Sequence, residues 1–163
     1  MLLAAGRGSR LLPLTDSMPK CLTEIRGIPI LQRLLDSLRQ HRFNRLVVVV
    51  GHLEQEIRRF LELHAQDFTV DYVVSPVYDT TNNIYSLWLA GETIREPFLL
   101  IESDLVFDPS LLGEMLDPDQ IAVSEILPWM NGTTVKANAA LDLTDFNIGT
   151  GNISNEIYYK TVN

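Results

Sequence analysis

Disulfides and membrane-spanning segments are both missing from this sequence. Its single cysteine, Cys21, cannot form an internal disulfide, and no apolar leader of signal-peptide length opens the chain. We therefore expect a reducing, cytoplasmic location. The longest apolar runs, such as LVVVV at 46–50, are far shorter than the roughly 20 residues that span a bilayer, so no membrane insertion is expected.

Positive charge is also scarce. The chain has 13 Lys and Arg residues against 21 Asp and Glu residues, which gives a formal net charge of -8. Proteins that bind nucleic acid or anionic membranes present a basic face drawn from an excess of cations. We therefore expect neither partner, and any anion-binding site must be local.

The sequence does contain enough hydrophobic residues to form a core. The 163 residues, of which 46% are hydrophobic, suffice for one globular domain, and we expect a single domain over residues 1–163. Strand and helix patterns alternate up to Asp104, which predicts an α/β fold with an open, mostly parallel sheet and helices on both faces. The predicted strands are residues 1–4, 46–50, 70–75 and 97–104, and the predicted helices are 29–41, 54–64 and a segment from Asn82 or Asn83 to about Ile94.

The pattern is weaker after Asp117. Short strands are predicted at 121–126, 133–137 and 157–162. Asn, Thr and Gly residues crowd the segment 144–155, which predicts an exposed turn region.

The first predicted strand runs into a loop rich in glycine and cations, within LLAAGRGSRLLPLTDSMPKCL at residues 2–22. Glycines after a strand let backbone amides approach an anion, because no side chain stands in the way. The cations of the loop suggest an extended polyphosphate rather than a single phosphate. The glycines are Gly6 and Gly8, and the cations are Arg7, Arg10 and Lys20.

Two common phosphate loops are excluded by spacing. The dinucleotide fingerprint needs a third glycine at position 11, which is Leu. The Walker A pattern fails because Lys20 neither follows a glycine nor precedes Ser or Thr. Taken alone, a GRGSR stretch is also compatible with a solvated turn whose arginines face water.

Two acids, Glu102 and Asp104, end the fourth predicted strand. Ligands in open α/β sheets bind beyond the carboxyl ends of the strands. The loop and the acidic pair both follow such ends, so one crevice could contain them together. Because residues two apart on a regular strand point to the same face, the side chains of Glu102 and Asp104 are expected to lie on one side of the sheet.

These stretches resemble a known family. LAAGRGSRLLPLTDSMPKCL is similar to the N-terminal signature of the nucleotidyltransferases that make nucleoside-diphosphate sugars and alcohols. YDTTNNIYSLWLA, followed by LLIESDLVFDPSLL, resembles the branch that contains phosphocholine cytidylyltransferase and 2-aminoethylphosphonate cytidylyltransferase, and WMNGTTVKAN and YYKTVN look like elements of that branch. The resemblance implies a three-layer, Rossmann-like nucleotidyltransferase fold. It also implies that a final portion of the family fold, with a second Mg²⁺-binding acid, lies beyond KTVN.

The resemblance also implies roles for individual residues. Lys20 would neutralise the α-phosphate and, with Arg10, would be catalytic, while Asp104 would bind Mg²⁺ with Glu102 supporting it. The alternatives are a surface lysine and an exposed acid at a strand end. The backbone holding the base and ribose would be Leu3, Ala4, Ala5 and Gly6, and the β- and γ-phosphates would lie against Gly8, Ser9 and Arg10.

The expected reaction is attack by a phosphate or phosphonate oxygen on the α-phosphorus of CTP, which releases pyrophosphate. A phosphomonoester has a second pKa of about 6, so it is largely dianionic at neutral pH and needs no general base. Catalysis then reduces to positioning and charge neutralisation. The histidines His41, His52 and His64 are accordingly interpreted as surface or packing residues.

The acceptor site is less defined by the sequence. Asn82, Asn83 and Ser86 could hydrogen-bond the nucleotide or the acceptor, although an Asn pair at a helix start also serves as a cap. An acceptor with an amine or a quaternary ammonium would need aromatic faces and acids around it. The candidates are Trp129, Tyr85, Asp79 and Glu102, although Tyr85 and its neighbour Trp88 lie on a helix where aromatics usually pack in the core.

Three functions stay open at this point. The first is a Mg²⁺-dependent cytidylyltransferase whose partners are CTP and a small phosphorylated or phosphonylated acceptor, with a second copy of the chain, in a homodimer, as a further candidate partner. The second is a sugar-1-phosphate nucleotidyltransferase that uses UTP or dTTP. The third is a non-catalytic nucleotide-binding module or an inactive fragment.

Overall fold

The computed structural model describes residues 1–127, 133–147 and 158–161. The chain divides into two compact units, Met1–Leu116 and Asp117–Asn163. The expectation of one domain over residues 1–163 stays a prediction. The strands are β1 (Leu2–Ala4), β2 (Glu24–Ile25), β3 (Ile28–Pro29), β4 (Arg45–Val50), β5 (Thr69–Val74), β6 (Ile101–Glu102), β7 (Val123–Glu125), β8 (Thr134–Ala137), β9 (Leu143–Asn147) and β10 (Tyr158–Thr161), and the helices are α1 (Ile30–Gln40), α2 (Glu54–His64), α3 (Asn83–Gly91) and α4 (Ser110–Glu114).

The first unit is built on a parallel sheet with the strand order β5-β4-β1-β6. The strand order reverses at β1, because β4 and β5 lie on one side of it and β6 lies on the other. In open α/β sheets, ligands bind beyond the carboxyl ends of the strands at such a reversal. The topology therefore places the functional edge at the ends of β1 and β6.

Helices cover both faces of this sheet. Along β4, Val48 and Val50 point into the core shared with α1 and α2, whereas Val47 and Val49 point into the core shared with α3. A strand buried on both faces is a continuous β-branched run in the sequence, which is why 46–50 was recognisable. The predicted three-layer, mostly parallel α/β fold is confirmed.

The amphipathic helix predicted at 29–41 is α1, and its buried side chains include Leu31 and Leu35, both 0% exposed. Pro29 caps α1 and has no N–H that a first helical turn would leave unpaired. Packing of this leucine face against the sheet is what stabilises the helix, as is usual for helices of this length.

The third helix departs from the prediction. Trp88 was expected to pack in the core, but its side chain is 57% exposed, and that of Ile84 is 72% exposed. The helix packs against β1 and β4 through its small residues instead, since Ser86 and Ala90 are 5% and 0% exposed. Small side chains let a helix approach a sheet closely, and the larger ones are then turned outward.

The predicted strand at 97–104 is also shorter than expected. Only Ile101 and Glu102 pair with β1, opposite Leu2 and Leu3. The ladder is extended at its end by a hydrogen bond from the Ser103 N–H to the Leu3 carbonyl, 3.2 Å. A strand exists only where a neighbour supplies hydrogen bonds, and β1 is short.

The second unit holds an antiparallel sheet with the order β7-β10-β8-β9. Its strands β7, β8 and β10 confirm the short strands predicted there. The predicted turn at 144–155 is wrong for residues 144–147, which belong to β9. Phe146 of β9 pairs with the fully buried Val135 of β8, and that pairing overrides the turn-forming composition. Residues 148–155 lie outside the described ranges.

No helix in the described ranges is long and apolar enough to cross a membrane.

Candidate active site

The glycine-rich loop leaves β1 and turns at Gly8. The backbone of Gly8 has φ +66°, a left-handed conformation that favours glycine. A Cβ atom at this position would lie 3.2 Å from Cγ2 of Thr15 and 3.3 Å from Cβ of Lys20. Gly8 is therefore required both by its dihedral angle and by the close approach of the following loop.

Lys20 and Asp104 meet across the edge of the sheet. Lys20 begins a short 3₁₀ turn after Pro19 and forms an ion pair with the Asp104 carboxylate that follows β6. Their side chains are 28% and 23% exposed, so the pair is partly shielded from water yet reachable. The structure thus brings together the two residues predicted to neutralise phosphate and to bind metal.

Glu102 lies in the same crevice. Its carboxylate Oε1 accepts a hydrogen bond of 2.8 Å from the Asn83 side-chain amide at the start of α3. Burial raises the pKa of Glu102, the charge of Asp104 raises it further, and the bond from Asn83 and the charge of Lys20 oppose the rise. Two carboxylates and one ammonium therefore interact at the ends of β1 and β6.

The arginines of the loop face outward. Arg7, Ser9 and Arg10 are exposed, and no ion pair or side-chain hydrogen bond joins Arg7 or Arg10 to any other residue in the described part of the chain. Their guanidinium groups are thus available to an anion that lies against the loop. The prediction that Arg10 binds phosphate is compatible with this arrangement and stays a prediction.

Three of the residues expected to hold the base and ribose are buried in the sheet or at the end of its strand β1. Leu3, Ala4 and Ala5 are 5%, 7% and 5% exposed, and the carbonyls of Leu3 and Ala5 accept hydrogen bonds from Ser103 and His52. Contact with a base or ribose at these positions would therefore have to use the backbone. Gly6 is exposed, and a Cβ atom there would meet nothing within 4 Å.

Four of the remaining predicted residues belong to α3 or to the segment just before it. The Asn82 side chain accepts a bond of 3.2 Å from the Ile84 N–H and so caps the helix, whereas Ser86 is buried at 5% exposure. Tyr85 is partly buried, with its ring 5.6 Å from that of Trp88. Asp79 is exposed. Trp129 lies outside the described residues.

Cys21, next to the catalytic candidate Lys20, is not a nucleophile at neutral pH. The side chain is 2% exposed, and burial raises the pKa of its thiol to about 12. A thiol with such a pKa remains protonated and unreactive. Cys21 is therefore a packing residue of the core and not a candidate for covalent catalysis.

Three residues that were assigned no ligand-related role support the loop. The Thr15 hydroxyl donates to the Gly8 carbonyl, 2.9 Å, and the His52 ring lies 3.2 Å from the Thr15 carbonyl. Gly51 lets β4 end close to the loop, because a Cβ atom there would lie 2.9 Å from the Ala5 carbonyl. The threonine of the PLT stretch was the available signal for Thr15, whereas nothing in the sequence linked His52 to the loop.

The sequence matches the family model of the MobA-like NTP transferase domain over residues 1–126. A CMP-5'-(3-aminopropyl)phosphonate synthase from Streptomyces rubellomurinus is 37% identical over 149 residues, which are 90% of this chain and 24% of that protein. A UTP–glucose-1-phosphate uridylyltransferase from Synechocystis sp. is 43% identical over 94 residues, 58% of this chain and 23% of that protein. The chain therefore spans about a quarter of the length of these two relatives.

Solved structures show the same fold. The structure of CTP:phosphocholine cytidylyltransferase from Streptococcus pneumoniae aligns with a TM-score of 0.71 at 23% identity, over 99% of this chain and 69% of that chain. At this identity the likeness concerns the fold.

Proposed function

We propose that this chain, which belongs to the MobA-like NTP transferase family, transfers the cytidylyl group of CTP to a small phosphorylated or phosphonylated alcohol or amine. The observation that carries the proposal is the Lys20–Asp104 ion pair, formed beside the glycine turn at the carboxyl edge of a parallel sheet. A cation for phosphate and a carboxylate for a metal ion stand together there, at the strand-order reversal where such sheets bind ligands.

The triphosphate lies against the loop in this proposal. Gly8, Ser9 and Arg10 bind the β- and γ-phosphates, and the backbone from Leu3 to Gly6 faces the base and ribose. Lys20 binds the α-phosphate, where negative charge develops during substitution. Arginine binds phosphate oxygens with two parallel N–H donors, and lysine acts as a point charge, so the two cations suit these different positions.

The residues present fit Mg²⁺. Asp104 would hold the ion and Glu102 would support it, because Mg²⁺ prefers carboxylate oxygen and is usually held by one or two acids together with substrate phosphates. In the described ranges no cluster of three or more His, Cys, Asp or Glu side chains is arranged for a metal. In this proposal the nucleotide phosphates would complete the coordination. When bound, the ion supplies charge neutralisation on the phosphates.

The acceptor supplies its own nucleophile. A phosphate or phosphonate oxygen forms a bond to the α-phosphorus, the bond from that phosphorus to the bridging oxygen breaks, and pyrophosphate leaves with the electron pair. The dianionic acceptor has no proton to lose. The protein's task is to hold two mutually repelling anions in line, and Lys20 and Arg10 reduce that repulsion.

The acceptor class rests on two supports. One is the 37% identity to a protein named for a CMP-linked aminopropylphosphonate. The other is the Glu102 carboxylate beside the phosphate-binding residues, since an acid there would attract an ammonium group on the acceptor. Asp79 and Tyr85, in the same unit as Glu102, complete the proposed acceptor-binding set, by the acidic and aromatic character that an ammonium group requires. The role expected for Trp129 stays a prediction from the sequence.

A sugar-1-phosphate nucleotidyltransferase that uses UTP or dTTP is the second candidate. The 43% identity to a uridylyltransferase over 94 residues supports it. The loop and the ion pair would serve either reaction, because no side chain of the loop or the pair is proposed to contact the base.

Pyrophosphate release separates the candidates. Each of CTP, UTP, dTTP and ATP would be tested with phosphocholine, 2-aminoethylphosphonate, phosphoethanolamine and glucose-1-phosphate, with and without Mg²⁺. Turnover with CTP and an amine-bearing acceptor supports the proposal, and turnover with UTP and glucose-1-phosphate alone supports the second candidate. No turnover with any pair, by the chain or by a longer form of it, would favour a non-catalytic nucleotide-binding module. The proposal also includes a cytoplasmic location and assembly as a homodimer.

A further inference from the structure

His52 connects the glycine-rich loop to the sheet at two points. Its backbone N–H donates to the Ala5 carbonyl, 3.0 Å, and its ring Nε2 lies 3.2 Å from the Thr15 carbonyl. Because a carbonyl oxygen can only accept, Nε2 must carry the proton and donate. His52, the second residue after β4, thus holds both the start of the loop, at Ala5, and its middle, at Thr15.

Thr15 transmits this connection to the glycine turn. Thr15 is 0% exposed, and its hydroxyl donates to the Gly8 carbonyl, 2.9 Å. The methyl group of Thr15 lies on the side of Gly8 where a Cβ atom would be, at 3.2 Å, next to the Lys20 side chain at 3.3 Å. A continuous set of hydrogen bonds therefore runs from His52 through Thr15 to the turn that faces the proposed phosphates.

The surroundings of His52 are closely packed. Gly51 carries no side chain, and a Cβ atom there would lie 2.7 Å from the Tyr78 ring and 2.9 Å from the Ala5 carbonyl. The rings of His52 and Tyr78 have centroids 6.1 Å apart and are tilted by 48°. The end of β4 is thus pressed against the loop, with the imidazole directed at Thr15.

We propose that His52 is a positioning residue that holds Thr15 and Gly8 in the conformation that binds the nucleotide triphosphate. The inference rests on the proposed function, since it concerns the same loop, and it assigns His52 a role in nucleotide affinity. His52 makes no contact with the nucleotide in this account. It acts through the Thr15 carbonyl and the Thr15 hydroxyl.

The test compares His52→Ala with His52→Gln. The alanine variant loses the ring donor, whereas the glutamine amide can donate to the Thr15 carbonyl from a similar position. Loss of one hydrogen bond of this kind corresponds to about a three- to tenfold weaker affinity. We expect His52→Ala to raise the Kd for CTP and the KM for CTP by about three- to tenfold, to leave the KM of the acceptor within about twofold, and His52→Gln to restore most of the loss.

His41 provides a matched control. Its ring also lies at hydrogen-bond distance from a backbone carbonyl, that of Pro109 at 2.9 Å, and that bond is also partly buried. His41 follows α1, at the opposite end of β4 from His52. His41→Ala should leave CTP affinity unchanged even if it lowers the melting temperature.

Thr15→Val offers a second route should His52→Ala not fold. It removes the hydroxyl that binds the Gly8 carbonyl while keeping the side-chain volume, and we expect the same selective loss of CTP affinity. Thr15→Ser, which keeps the hydroxyl, should bind CTP more tightly than Thr15→Val.

Each outcome bears on the inference. Calorimetric titration of the wild-type chain with CTP, UTP, dTTP and ATP in the presence of Mg²⁺ comes first, and absence of binding to all four would overturn both the proposed function and this inference. If the wild type binds CTP and His52→Ala binds it equally well, only the inference fails. It also fails if His52→Ala weakens CTP and the acceptor to the same degree, or if His41→Ala weakens CTP as much.

Discussion

The Lys20 ammonium and the Asp104 carboxylate form an ion pair at the carboxyl edge of the parallel sheet. The lysine comes from the loop after β1 and the aspartate from the end of β6, so the pair exists because these two strands are neighbours. Partly exposed ion pairs contribute little to stability, typically about 0–1 kcal/mol. The pair matters for ligand binding instead. Lys20 neutralises the carboxylate that would bind a metal ion, and Asp104 neutralises the ammonium group that would bind a phosphate.

Divalent cation binding should reveal that competition. Lys20→Met removes the positive charge beside Asp104 but keeps much of the apolar stem, so we expect the nucleotide-free protein to bind Mn²⁺ more tightly, by about three- to tenfold, than the wild type. Mn²⁺ titration followed by electron paramagnetic resonance measures this directly. Asp104→Asn should bind Mn²⁺ more weakly than either.

Arg59→Met is the control for the loss of one positive charge. Arg59 pairs with Glu56 on α2, and its side chain is 71% exposed. Its removal should leave Mn²⁺ affinity within about twofold of the wild type, because exposed distant charges are screened by salt. Equal or weaker Mn²⁺ binding by Lys20→Met would show that Lys20 does not compete for Asp104.

Gly51→Ala should destabilise the protein. The added methyl group would lie 2.7 Å from the Tyr78 ring and 2.9 Å from the Ala5 carbonyl, and relieving such overpacking typically costs about 1–3 kcal/mol. Gly91→Ala is the matched control, since its Cβ would meet nothing within 4 Å. Gly91 is the last residue of α3, and alanine favours helix, so we expect no loss there. Urea unfolding measures both, and equal stabilities for the two variants would contradict the packing described at Gly51.

The stability contributed by Asp67 should depend on pH. Hydrogen bonding to Arg39, the largest cause, lowers the pKa of Asp67 below its ordinary value, through a bidentate contact of 2.8 and 2.7 Å. A carboxyl group whose pKa is lowered by folding adds stability above its unfolded-state pKa, and that stability is lost as the pH falls through the folded-state pKa. The wild type should thus exceed Asp67→Asn in stability at neutral pH, and the difference should shrink below about pH 4.

Urea unfolding of the two proteins from about pH 7 to about pH 2 tests this linkage. A difference that stays constant across the series would show that the Arg39–Asp67 contact does not depend on ionisation of the carboxyl group.

The sequence predicts those elements whose burial is uniform. Val47 to Val50 form a continuous apolar run because both faces of β4 are covered, and α1 shows a complete leucine face. The length of β6 could not be predicted, because it depends on hydrogen bonds from β1 rather than on its own residues. The orientation of Trp88 could not be predicted either, since helix α3 approaches the sheet through Ser86 and Ala90.

The candidate site also has a part that could be predicted from the sequence and a part that could not. Lys20 and Asp104 were placed in one crevice by motif and by the rule that parallel strands end at one edge, and the structure brings them into contact. The hydrogen bond from Asn83 to Glu102 and the His52–Thr15 contact join segments far apart in the chain. Such contacts depend on the exact path of the loops, which neither periodicity nor composition encodes.

Transfer of an isotopic label tests the central claim most directly. Wild-type protein would be incubated with an acceptor and with CTP labelled at either the α- or the γ-phosphate, beside Lys20→Ala and the control Arg59→Ala. We expect the α-label in the acceptor product and the γ-label in pyrophosphate, with the rate reduced by about 100-fold or more in Lys20→Ala and unchanged in Arg59→Ala. Transfer of the γ-label to the acceptor, or an undiminished rate in Lys20→Ala, would contradict the account.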